Sequence, residues 1–135
     1  MIVIIITGGE EPSGVQNPNS VELLLDDGSP WCSLPNLPQS RSFHTQSGLV
    51  ACGGLQTETS CVTFANGEWT MSHSLLYERL EHSSWFSSEQ GIVLMGGGES
   101  IDSIIGNSTE VLTSNGETLD SFKLNYSTML SNHFL

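Results

Sequence analysis

Positive charge is nearly missing from this 135-residue chain: Arg41, Arg79 and Lys123 are its only basic side chains, against fifteen aspartates and glutamates, for a net charge of −12. Gripping a phosphate backbone takes clustered cations, so this scarcity excludes a nucleic-acid partner. The same sign disfavours an anionic membrane and favours a basic or neutral partner. Long apolar runs are missing as well. The longest, Met1 to Ile6, falls far short of the ~20 residues of a membrane-spanning helix. It lacks the basic start and small-residue cleavage site of a signal peptide, so it is expected to begin a strand. With 37% hydrophobic and 13% charged residues, the chain has enough apolar material for one domain-sized core.

Against these absences stands a rhythm. Three apolar runs end in glycine doublets: Ile2 to Thr7 before Gly8-Gly9, Leu49 to Cys52 before Gly53-Gly54, and Ile92 to Met95 before Gly96-Gly97. The second glycines lie 45 and then 43 residues apart, an interval that signals a solenoid or propeller. After a polar stretch of variable length each unit has a β-type run, Val21–Leu25, Cys61–Phe64 or Glu110–Thr113, closed by Asp27-Gly28, Asn66-Gly67 or Asn115-Gly116. These dipeptides suit the positive φ values of a type I′ hairpin and predict a reversal into an antiparallel strand. That strand opens with an aromatic, Trp31, Trp69 or Phe122, and a histidine follows the turn glycine by 16, 15 and 17 residues at His44, His82 and His133. Arg41 and Arg79 each stand three residues before a histidine. One unit therefore reads as four strands: His-led, into Gly-Gly, into the turn, and Trp-led.

A four-stranded unit of this length marked by Gly-Gly and Trp resembles the kelch repeat, one blade of a β-propeller. The resemblance covers nearly the whole chain. It is closest to secreted or cell-surface kelch-like proteins of invertebrates, through Leu34-Pro35-Asn36-Leu37-Pro38, Ala51-Cys52-Gly53-Gly54 with Cys61, Gly67-Glu68-Trp69, and Val93-Leu94-Met95-Gly96-Gly97. It implies an all-β, kelch-type partial propeller of about three four-stranded blades, with units at about 1–41, 42–81 and 82–128 and the start of a further inner strand at 129–135. The third unit departs from the pattern, with Phe122 for Trp and no arginine three residues before His133. Gly8, Gly9, Gly53, Gly54, Gly96, Gly97, Trp31, Trp69, His44 and His82 are expected to be structural marks of the repeat. A closed propeller takes roughly 4–8 blades. The expectation is therefore a fragment with open blade edges prone to association, or two copies combining into a six-bladed ring. In a circular order Asn132 to Leu135 is a candidate for the missing inner strand.

Cys52 ends one strand and Cys61 begins the next, which places them within disulfide range across an eight-residue loop. Closing so short a loop removes about 2–3 kcal/mol of unfolded-chain entropy and needs an oxidising compartment. Cys32 is either free or paired outside the chain. The sequons at Asn107 and Asn125 point the same way, since glycan acceptors matter only in secreted chains.

Strand parity places the loops 10–19, 55–60 and 98–108 on one face with the inter-unit segments 34–42 and 73–81. Variable loops over a fixed scaffold are how repeat proteins present binding sites. Binding-face candidates are Glu10, Glu11, Gln16, Glu58, Glu99 and Asp102, together with Arg41 and Arg79 unless these hydrogen-bond the blade junction instead. No enzyme, metal or cofactor is expected. His44, His82 and His133 recur once per unit and do not converge, His73 stands alone, and Gly96-Gly97-Gly98 precedes no helical pattern. A copper-radical oxidase of related propeller shape needs a tyrosine-bearing cluster that Tyr77 and Tyr126 do not supply. Two functions fit the resemblance. One is an extracellular or cell-surface binding or adhesion module for a protein or glycan. The other is the substrate-binding part of a cytoplasmic ubiquitin-ligase adaptor.

Overall fold

The computed structural model describes residues 3–9, 19–42, 44–55, 57–97 and 108–120. Among them there is no helix, and eleven strands form three antiparallel sheets. The first sheet is β1 (Val3–Thr7), β2 (Val21–Leu25) and β3 (Cys32–Leu34). The second is β4 (Thr45–Ser47), β5 (Val50–Cys52), β6 (Ser60–Ala65) and β7 (Glu68–Ser74), and the third is β8 (Ser83–Ser87), β9 (Gly91–Met95), β10 (Thr109–Leu112) and β11 (Thr118–Asp120). In each sheet spatial order follows chain order, so every unit is an up-and-down meander. Each sheet lies inside one of the units read from the sequence.

The registers of the three sheets coincide. Ile6 faces Glu22, Ala51 faces Val62, and Leu94 faces Glu110; one step on, Thr7 faces Val21, Cys52 faces Cys61, and Met95 faces Thr109. Because successive side chains point to opposite faces, each pair marks one face of its sheet. β5 and β9 are apolar on consecutive positions because both faces are packed, whereas β1 carries the same kind of run with Val3, Ile4 and Ile6 exposed. Ala51 and Val62 pack with Val21, Leu37 and Trp69 between the first and second sheets, while Cys52 and Cys61 pack with Leu75, Leu94 and Leu112 between the second and third. The facing cysteines form a buried disulfide with their Cα atoms 4.1 Å apart. Cys32 is free and exposed.

The chain reverses at all three turn dipeptides, but only one makes the expected tight hairpin. Asn66 (φ 54°) and Gly67 (φ 87°) are both left-handed between the facing residues Ala65 and Glu68, as a type I′ turn demands. At Asn115-Gly116 only the glycine is left-handed. The Gly116 amide donates to the Thr113 carbonyl, and Thr113 bonds Glu117 across a longer loop. At Asp27-Gly28 the last facing pair is Leu23 and Cys32, and Asp27 accepts from the Ser29 amide and hydroxyl in a side-chain-capped turn.

The Trp positions also differ. Trp69 is 7% exposed, stands 5.3 Å from the Phe64 ring centre, and donates from Nε1 to the Pro35 carbonyl of the first unit at 3.0 Å. It does the covering expected of it. Trp31 is 46% exposed and precedes β3 rather than lying in it, so it is not a buried repeat mark. Phe122 and His133 lie outside the described residues.

Candidate functional site

Among the described residues, the backbone bonds that tie one sheet to the segment leading into the next gather at the end where the glycine doublets sit. The Gly9 amide donates to the Arg41 carbonyl and the Gly54 amide to the Arg79 carbonyl, both at 2.8 Å. Leu37 donates to the Asn19 carbonyl as Leu75 does to that of Thr59, and the Arg79 amide donates to the Glu58 carbonyl. Loops after the second strand and segments after the fourth therefore meet at one edge, as strand parity requires.

The two arginines organise this edge from within. Both are fully buried, which removes Arg41 and Arg79 from the set of exposed binding residues. Burial of a guanidinium requires acceptors. Arg41 Nη1 donates to the carbonyls of Gly53 (2.8 Å) and Ser60 (2.9 Å), and its Nη2 donates to Ser60 Oγ (2.8 Å). Arg79 repeats the pattern one unit on, with Nη1 to the carbonyls of Gly96 and Ser108 and Nη2 to Ser108 Oγ at 2.7 Å. The loop between doublet and serine differs in length, yet the acceptors arrive in the same place.

The two junctions diverge at one register position. Arg79 Nε pairs with Glu110 Oε1 at 2.6 Å, and Glu110 Oε2 accepts from the Leu76 amide. In the preceding unit the residue in register with Glu110 is Val62, and Arg41 Nε is buried with no partner. Burial without a counter-charge pulls Arg41 down to about 10.

The histidines complete each junction. The one hydroxyl proton of Thr7 goes to Gln46 Oε1 (2.6 Å), so His44 Nε2–H donates to Thr7 Oγ1 (2.8 Å) and its Nδ1 is buried without a partner. His82 Nε2 stands 2.8 Å from Thr45 Oγ1, again with Nδ1 buried and unpartnered. Burial, and then the neighbouring arginine, lower both histidines, His82 to about 4 with a smaller contribution from His44. The fold thus refuses a proton that the unfolded chain accepts below its ordinary value of 6.5. Stability is complete above that value and drains as pH falls towards 4. His82 alone is expected to remove about 2 kcal/mol between pH 7 and pH 5. Urea midpoints across this range check it: the wild type falls, His82→Gln is flatter, and an unchanged wild-type midpoint refutes the assignment.

Of the exposed candidates, Glu58 is described. It is half-buried and engaged in contacts, with its backbone carbonyl tied to Arg79. Glu10, Glu11, Gln16, Glu99, Asp102 and the sequon residues Asn107 and Asn125 lie outside the described residues, as does 129–135. His73 reaches across to the third sheet, its Nε2 3.0 Å from the Thr113 carbonyl. Among the described residues no three His, Cys, Asp or Glu side chains gather to hold a metal, and no helix is long and apolar enough to cross a membrane. Ser60, Ser108 and Glu110 are the site residues that repeat spacing alone did not single out. Their signal is a serine at the start of the strand after each variable loop, with glutamate two residues later in the first and third units. Comparison of the chain with models of known protein families and with curated proteins finds no match in either.

Proposed function

We propose that this chain is a segment of a kelch-type β-propeller, about three blades, that acts as a non-catalytic binding module of a larger extracellular or cell-surface protein and offers its loop edge to a protein or glycan. The observation that carries this reading is the junction made twice: the same arginine, serine and glycine bonds, each beside a histidine held to a threonine of the sheet before, join the first sheet to the second and the second to the third. A radial array of like blades needs such a repeated joint, and a sandwich of two sheets does not. The described ends of the variable loops, Gly9, Asn19, Leu55 and Ser108, stand beside that joint.

The compartment rests on the Cys52–Cys61 bond, which an oxidising environment sustains. Secretion of the chain from eukaryotic cells is expected to yield glycans at Asn107 and Asn125, seen as a mass loss on N-glycosidase treatment, and one titratable thiol per denatured chain, that of Cys32. Three thiols and no glycan would favour the intracellular adaptor. The binding role is tested by replacing loops 10–18 and 99–107 with Gly-Ser segments of equal length. Staining of intact cells by the labelled chain is expected to disappear while the melting temperature holds; staining that survives the replacement refutes the loop face.

A further inference from the structure

The first sheet carries the acceptors of the arginine joint in full. Gly8, Ser20 and Glu22 stand in register with Gly96, Ser108 and Glu110, since Ile6 faces Glu22 as Leu94 faces Glu110, and the Gly8 amide donates to the Ser20 carbonyl as the Gly96 amide does to that of Ser108. In the third unit this set is closed over Arg79, and Ser108 and Glu110 are buried. In the first, Ser20 and Glu22 are exposed, and among the described residues no arginine reaches them. The apolar floor is open too: Ile6 is 48% exposed where its counterparts Ala51 and Leu94 are 0% exposed. The outer edge of β1, where β4 lies against β5 and β8 against β9, has no partner strand among the described residues.

We propose that the outer edge of β1, with Gly8, Ser20 and Glu22, is a docking site for an extended polypeptide segment from outside residues 1–135 that carries Arg-x-x-His, whose guanidinium takes against Gly8, Ser20 and Glu22 the place that Arg79 takes against Gly96, Ser108 and Glu110. Charge selects this occupant. Glu22 offers a carboxylate beside backbone and hydroxyl acceptors, the fork that a guanidinium matches and an ammonium does not. A second copy of the chain does not supply the arginine, because Arg41 and Arg79 are both buried in their own joints and residues 121–135 contain none. Main-chain bonds to the β1 edge provide the remaining affinity, as in other strand additions.

The probe is a labelled peptide copying residues 75–88, which contains the Leu76 amide, Arg79, His82 and the β8 strand. Added to the full chain, it is expected to bind saturably by fluorescence anisotropy. Norleucine in place of its arginine, or Glu22→Gln in the protein, is expected to weaken binding about tenfold, with no further loss when both are combined. Glu22 is exposed, so the variant keeps its melting temperature. Hydrogen exchange is expected to protect Val3 to Thr7 on binding, which separates docking here from displacement of the chain's own β8. Absence of binding, binding indifferent to the arginine or to Glu22, protection confined to β9, or dimerisation of the chain through β1 that the peptide does not compete would each overturn the proposal.

Discussion

Glu110→Val is expected to lower the unfolding free energy by about 3–5 kcal/mol, the loss typical of a buried ion pair deprived of one partner. That is a large fraction of the ~5–15 kcal/mol that holds a domain together. Two groups lose their acceptor at once, Arg79 Nε and the Leu76 amide. The first junction already lives with valine at this register position, in Val62, and the reason lies 24 residues upstream of it. Leu37 and Leu75 make the same backbone bond, so Pro38 corresponds to Leu76, and proline has no amide hydrogen to satisfy. Proline with valine, or leucine with glutamate, are two self-consistent solutions of one joint. Adding Leu76→Pro to Glu110→Val is therefore expected to recover about 1–2 kcal/mol, whereas Leu76→Pro alone destabilises by stranding Glu110 Oε2. A urea double-mutant cycle reads this coupling directly. Strict additivity of the two substitutions would show that Pro38 and Leu76 are not equivalent.

The same joint marks where sequence stops being informative. Glycine doublets at a steady interval mark β5 and β9, because a strand packed on both faces must be apolar at consecutive positions and such runs stand out; β1 shows the same run although Val3, Ile4 and Ile6 are exposed. The recurrence of Arg41 and Arg79 was equally visible, but not their direction. A charged side chain is placed outside by default, and what turns these inward is a set of acceptors from far along the chain, Ser60 for Arg41 and Glu110 for Arg79. The loops that deliver those acceptors vary in length, so spacing conceals the match that register reveals. Trp31 and Trp69 looked alike for a related reason. Trp69 is fixed by Phe64 on its own sheet and by the Pro35 carbonyl on the sheet before, and nothing local to either tryptophan records that second contact. Turn dipeptides suffer from the same non-locality. Asn66-Gly67 forms a two-residue hairpin because Ala65 and Glu68 face each other; Asp27-Gly28 does not, because pairing of β2 with β3 ends earlier, at Leu23 and Cys32.

Gly53→Ala is expected to be as damaging as loss of the ion pair, and the cause is geometry rather than charge. Gly53 sits at φ +65°, and a Cβ there would stand 2.5 Å from the Arg79 carbonyl oxygen and 2.7 Å from His82 Cε1. That carbonyl is held by the Gly54 amide, and the His82 ring by Thr45, so neither is free to yield. A left-handed alanine costs about 1–2 kcal/mol in any setting, and overpacking a fixed joint adds about 1–3 kcal/mol more. Gly67 supplies the control. Its φ of +87° is as unfavourable to alanine, but a Cβ there meets nothing within 4 Å. Gly67→Ala is therefore expected to cost the conformational part alone, about 1–2 kcal/mol, and the excess loss at Gly53 measures how tightly the second and third sheets are locked. Calorimetric melting of the two variants beside the wild type decides it. Equal losses would mean that the arginine carbonyl and the histidine ring give way, and that the doublet glycines serve the turn of their own strand instead of the contact between neighbouring sheets.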